Sequence, residues 1–189
     1  MPASPLTRPD ASEIVRSTFG GLYLAEQLDR LHLSIINLME MVQDEELTLI
    51  LDQPDKTDKH KILFLEKIIR SVSSPELRTI LDEALKRKDF AFFSEKELSG
   101  VLRALQEAAA KLIVVRISVA IEFKPEDVRA MADLLTEKVG RQTVVSLKVD
   151  RSLIGGAIVQ NGNYLSDYSI KTQLEIFRSR WHHAVSDSK

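Results

Sequence analysis

The chain has 189 residues, of which 44% are hydrophobic and 29% charged, the balance of a globular protein with enough apolar side chain to build a sizeable core. It has no cysteine, which excludes disulfides, thiolate metal sites and a thiol nucleophile. Residues 1–109 hold 14 Lys+Arg against 19 Asp+Glu and residues 110–189 hold 12 against 9, so the halves carry −5 and +3, and neither is basic enough to imply nucleic acid. The opening MPASPLTRPD lacks a signal-peptide h-region, and no window approaches 18 uncharged apolar residues, so neither a secretion signal nor direct membrane insertion is expected.

In chain order, ASEIVRSTFGGLYLAEQL carries Gly20 and Gly21 where a helix would otherwise continue. Two glycines cost a helix about 2 kcal/mol relative to alanine, so a short or broken first helix is expected. Leu24, Leu28, Leu31, Ile35, Leu38 and Val42 then step by 4, 3, 4, 3 and 4, one stripe of a helix. The extra apolar residues Leu33, Ile36 and Met39 favour a bundle helix over a two-stranded coiled-coil seam. A short helix over 45–51 is stopped by DQPD, where Pro54 removes a donor and restricts Gln53. The next, over about 56–72, buries Ile62, Leu65, Ile69 and Val72. Ser74 as N-cap with Pro75 at the first helical position starts a helix over 74–88, apolar at Leu77, Ile80, Leu81, Ala84 and Leu85. KDFAFFSE places Phe90, Phe92 and Phe93 as a plug for the bundle, or else as an exposed docking patch. Ser94 and Glu97 read as a capping box opening a helix with Leu98, Val101, Leu102, Leu105 and Ala109 inward.

After Leu112 the apolar period changes from 3.6 to two. Ile113, Val115, Ile117, Val119 and Ile121 alternate with more polar neighbours and predict a half-buried strand. A helix follows, entered at Pro125, with Val128, Met131, Leu134 and Leu135 inward and Gly140 at its end. Strands are expected over 143–149 and 154–160, then a tight turn at Asn161-Gly162 into Tyr164 and Leu165, and a terminal helix from Ser169 striped by Ile170, Leu174, Phe177 and Trp181. The fold class expected is α plus α/β: an N-terminal bundle of about six helices over 1–109 and a small β-α-β-β-α domain over 110–189.

The catalytic templates find no match. No glycine precedes a lysine, so there is no Walker-type loop, and Gly155-Gly156, followed only by Gly162, do not make a dinucleotide fingerprint. His182 and His183 are adjacent on a helix, so their side chains diverge by about 100° and suit a solvated helix end better than a metal. Ser152 beside Asp150 has no histidine near it in sequence, and DRS reads as a turn in which Asp150 caps backbone donors. No catalytic, cofactor-binding or metal-binding residue is assigned.

The run VDRSLIGGAIVQNGNYLSDYSIKTQLE resembles the C-terminal signature of the delta subunit of F-type ATP synthase, the family that includes the oligomycin-sensitivity-conferring proteins. The residues that carry the likeness are Val149, Asp150, Ser152, Leu153, Ile154, Gly155 and Gly156, then Asp167 and Ser169. LTLILDQPDKTDKHKILFLEKII and SPELRTILDEAL are similar to the family's third to fifth helices. The resemblance implies a non-catalytic stator subunit that ties the F1 head to the peripheral stalk, held at the cytoplasmic side of the inner membrane through the complex. It further implies that the helical half, with help from its first helix, grips an alpha-subunit N-terminus in a groove, to which Leu77, Ile80, Leu81 and Ala84 are assigned, and that the other half holds the C-terminal end of the b-subunit stalk. Gly155 and Gly156 are then expected to be packing residues in a strand lying beneath the terminal helix. Two other readings stand beside it: a diverged helix-binding adaptor outside the synthase, and a small nucleic-acid-binding module with Tyr164 and Tyr168 on its sheet, although no basic residues interleave with those tyrosines.

Overall fold

A computed structural model describes residues 10–43, 45–52 and 58–186, and the chain separates into two compact units. The first comprises the residues up to Leu22 and Gln27–Lys111; the second comprises Tyr23–Glu26 and everything from Leu112. The class is α plus β, with eight α-helices and one four-stranded sheet among the described residues.

The first unit is helical. α1 (Ala11–Gly20) starts on Asp10, whose carboxylate accepts from the Glu13 N–H, and it stops at the glycine pair, with Gly21 as its C-cap. α2 (Ala25–Val42) buries Leu28, Leu31, Ile35, Leu38 and Val42 of the predicted stripe, while Leu24, expected as its first member, lies before the helix and bridges to Val145, and Leu33 and Ile36 stay exposed. α3 (Glu45–Asp52) and α4 (Asp58–Ser71) follow; Gln53 and Pro54, expected to end the third helix, lie outside the described residues. α5 (Pro75–Lys86) begins as its sequence predicts, with the Leu77 N–H donating to the Ser74 hydroxyl at 3.3 Å and Pro75 at the first helical position. Ser34 ties this start to α2: its hydroxyl donates to the Arg30 carbonyl and accepts from the N–H groups of Ser73 and Ser74. Buried serines are thereby fully used, as a buried hydroxyl must be.

A 3-10 turn over Phe90–Phe93 precedes α6 (Glu95–Ala109) and buries Phe92 and Phe93, which pack edge to face at 5.6 Å, so the phenylalanines act as a plug. The capping box is corrected. The Ser94 hydroxyl donates back to the Ala91 carbonyl at 2.8 Å instead of accepting from the first turn of α6, because the preceding 3-10 turn offers it a nearer acceptor.

In the second unit β1 (Ile113–Val119) pairs in parallel with β2 (Thr143–Val149) through the crossover helix α7 (Pro125–Val139). β3 (Ala157–Asn161) lies antiparallel on the other side of β1, and β4 (Tyr164–Asp167) forms the edge, giving the order β2-β1-β3-β4. The small domain is therefore β-α-β-β-β-α with the terminal helix α8 (Ile170–Ser186), one strand more than β-α-β-β-α. Val115, Ile117, Val119 and Val145 of the sheet close on Val128 and Ala132 of α7 as its core. Gly140 ends α7 at φ 68°, its N–H bonded to the Thr136 carbonyl. Leu134, expected inward, is half exposed, and β1 stops at Val119, leaving Ile121 in solvent. The outer edge of β2 is covered from far away in sequence: the Val145 N–H donates to the Tyr23 carbonyl at 2.8 Å, and Leu24 bridges to Val145 in parallel.

Candidate functional site

The signature residues converge on one place, the entry to α8. Asp150 caps a short 3-10 turn over Arg151–Leu153, its carboxylate accepting from the Ser152 N–H at 3.0 Å, as the turn reading requires. The Ser152 hydroxyl and then its N–H hold that carboxyl below the usual carboxylate range. Leu153 turns inward and is buried. Ile154 is thrown outward with φ at 66°, a region that a β-branched residue enters only under strain of about 1–3 kcal/mol.

Gly155 and Gly156 therefore sit in a bend between the 3-10 turn and β3, not inside a strand as their apolar flanks suggest. The need for glycine is nevertheless steric. A Cβ on Gly155 would meet the Ile170 Cδ1 at 2.6 Å, and one on Gly156, at φ 79°, would meet the Tyr168 carbonyl oxygen at 2.3 Å. The neighbour that comes close is the chain entering α8, held there by the Ile170 N–H donating to the Gly155 carbonyl and the Tyr168 N–H donating to the Ala157 carbonyl. The body of the helix does not lie on the strand: Leu174, Phe177 and Trp181, expected to press toward it, are more than half exposed.

Asp167 completes the latch. Its Oδ1 accepts from the Ser169 N–H at 2.8 Å and its Oδ2 from the Thr172 hydroxyl at 2.7 Å, while the Ser169 hydroxyl accepts from the Thr172 N–H. These bonds, the Thr172 hydroxyl first, stabilise the charged carboxylate and lower its pKa. The signature is thus a device that fixes where α8 leaves the sheet. Among the described residues no group of three acidic or histidine side chains could hold a metal, and the side chains of His182 and His183 lie outside the description.

Beside the latch an apolar groove of about 650 Å3 opens between α7 and the sheet. Gly155 and Gly156 form part of its wall, Ile121, Phe123, Ile154 and Tyr168 stand at it exposed, and Lys138 is its one charged residue. The sequence had given no sign of this groove, since Ile121 reads as a continuing strand and Ile154 as the start of the next. Tyr164, the other tyrosine of the nucleic-acid reading, is exposed on the edge strand β4 and does not line it.

In the helical unit the four residues assigned to a partner groove divide. Leu77 and Leu81 are fully buried, whereas Ile80 and Ala84 are partly buried. A stripe of i, i+3 and i+4 spacing marks an apolar face without saying which rows of it reach solvent.

Comparison with known proteins agrees with the signature. The chain is 25% identical over 135 residues to ATP synthase subunit delta of Marinobacter nauticus, covering 71% of this chain and 75% of that protein. It is 27% identical over 143 residues to the same subunit of Syntrophus aciditrophicus, covering 75% and 78%. A chain of the Toxoplasma gondii mitochondrial ATP synthase hexamer matches at a TM-score of 0.35 and 14% identity over 92% of this chain and 98% of its own, too distant to bear on the arrangement of the elements. The family profile described as ATP synthase delta (OSCP) subunit matches residues 23–180, and the chain belongs to that family, a non-catalytic stator subunit of F-type ATP synthase.

Proposed function

We propose that the chain holds two partners at once: an alpha-subunit N-terminus on its helical unit and the C-terminal end of the b-subunit stalk on its sheet unit. A stator must be gripped from both sides to resist the torque on the head, and the chain has two compact units to do it. It works at the cytoplasmic face of the inner membrane through the complex, and among its described residues no helix is long and apolar enough to cross a membrane.

The observation that carries the alpha-subunit contact is the partial exposure of Ile80 and Ala84, next to fully buried Leu77 and Leu81. That arrangement leaves an apolar edge for an amphipathic helix without opening the core. Ala84→Arg should abolish binding of an alpha-subunit N-terminal peptide with the thermal midpoint unchanged, because the arginine blocks the edge while its charge remains able to reach water. A collapsed midpoint would mean that Ala84 is core and would refute the groove.

One observation favours a second reading, a helix-binding adaptor outside the synthase. The family match begins at residue 23, after the glycine-terminated α1 that would form one wall of the groove. Pull-down from native membranes separates the two, since co-purification of alpha and b subunits supports the stator and their absence supports the adaptor.

A further inference from the structure

The chain passes from one unit to the other at three places, between Leu22 and Tyr23, between Glu26 and Gln27, and between Lys111 and Leu112, and the second of these lies inside a helix. α2 begins at Ala25, directly after Tyr23 and Leu24, and four observations fix that pair to the sheet unit. The Val145 N–H donates to the Tyr23 carbonyl at 2.8 Å, and Leu24 bridges to Val145 in parallel. Tyr23 and Leu24 both pack against the core that β1, β2 and α7 close, and the Arg129 guanidinium of α7 stands 5.9 Å from the centre of the Tyr23 ring. Val145 is fully buried, so its amide is kept from water.

One turn further on, α2 is held by the helical unit. The Gln27 side chain donates to the Glu76 carboxylate of α5 at 3.4 Å, Leu28 and Leu31 are buried, and the Ser34 hydroxyl accepts from the Ser73 and Ser74 N–H groups that lead into α5. Only Ala25 and Glu26 separate Leu24 from Gln27, and both are helical. The helix has neither glycine nor proline over its 18 residues, so it lacks the usual sites of a kink. Its turns order cooperatively, and the turn of Ala25 and Glu26 is therefore not independent of those that follow. α1 is joined to the same pair in another way: it ends on Gly21, and the chain is non-helical from there to Leu24.

We propose that Tyr23 and Leu24 clip the start of α2 to the edge of the sheet, so that local opening of α2 is transmitted to β2. On the reading that each unit holds a partner, α2 is then the element along which load passes from one grip to the other. That use rests on the two-partner reading, whereas the coupling is a property of the chain alone.

The test is native-state hydrogen exchange of the full-length chain, followed at the Val145 amide by NMR. Leu38→Ala opens a cavity beside α2 about four turns from the clip, and it should speed exchange at Val145 about tenfold or more. Inserting Gly-Gly between Leu24 and Ala25 should remove that response, while the same insertion between Gly21 and Leu22 should leave it in place. If Leu38→Ala does not fold, Ile35→Val gives the same comparison at about threefold. Loss of Val145 protection outright in the first insertion variant, with protection kept in the second, also supports the clip, since the pair then holds only while α2 presents it. An exchange rate that ignores the α2 substitutions overturns the proposal. So does a response that survives the insertion after Leu24, because the coupling then runs through Lys111 and Leu112. Coupling absent from a chain that still co-purifies with alpha and b subunits overturns the clip and leaves the stator reading. Coupling present in a chain that co-purifies with neither leaves the clip and overturns the two-partner reading.

Discussion

Gly155 and Gly156 stand side by side, yet the two positions tolerate change differently. At Gly155 the obstructing atom is the end of the flexible Ile170 side chain, which can turn away, so Gly155→Ala should cost about 1 kcal/mol. At Gly156 the obstruction is the Tyr168 backbone, and φ is 79°, so Gly156→Ala should cost about 3 kcal/mol or more and loosen the latch. Chemical denaturation of both variants checks the contrast, and equal losses would contradict it. Ile154 gives the opposite sign. It is two-thirds exposed at φ 66°, so Ile154→Gly relieves strain at little cost in burial. After the added chain entropy of glycine, stability should rise by about 0.5–1 kcal/mol. A variant less stable than wild type would show that Ile154 packs more than it strains.

At the scale of elements, α8 depends on its first turn, because residues 173–181 beyond it are exposed. The Asp167 carboxylate is stabilised in its charged form by the Thr172 and Ser169 donors, so its pKa is lower folded than unfolded. Its contribution is therefore complete above the unfolded value, near 4, and is lost as pH falls through the folded one. Carbon chemical shifts of residues 169–173 should report an unchanged helix start from pH 8 to 5 and fraying below about pH 4. Asp167→Asn should flatten that dependence, and fraying that persists unchanged in this variant would assign the transition elsewhere. α1 shows the same reliance on local chemistry: Asp10 starts it, Gly20 and Gly21 stop it, and its ten residues reach no further.

For the whole molecule, the path of the chain between α1 and α2 matters most. We propose that residues 1–109 form an independently folding domain, so this fragment should keep a cooperative helical melt of its own. The complementary fragment of residues 110–189 loses Tyr23 and Leu24, and with them the acceptor of the fully buried Val145 N–H. Leaving that donor unpaired costs about 1–3 kcal/mol, so its sheet should melt below that of the intact chain. An identical midpoint would mean that another group takes the place of the Tyr23 carbonyl. A helical signal in the first fragment without a cooperative transition would mean that the fold has one shared core.

Features governed by near neighbours were legible in the sequence alone. The Ser74-Pro75 start, the buried stripe of α2, the alternation of β1, the Gly140 stop and the Asp150 turn each arise from bonds or periods spanning a few residues. The signature run was legible as family membership for the same reason, since its residues are consecutive. What depends on a distant neighbour was decided by the tertiary structure. Ser94 turned its hydroxyl to the preceding turn, Tyr23 joined a sheet some 120 residues away, and the groove at Ile121 and Ile154 exists only because β1 and β3 stop short beside α7. Leu77 and Ile80 have the same chemistry on one helix, and only tertiary packing buries the first fully and leaves the second partly exposed. The stripe of α8 has the periodicity of a buried face, but periodicity records that a partner is needed and not whether the chain itself supplies one.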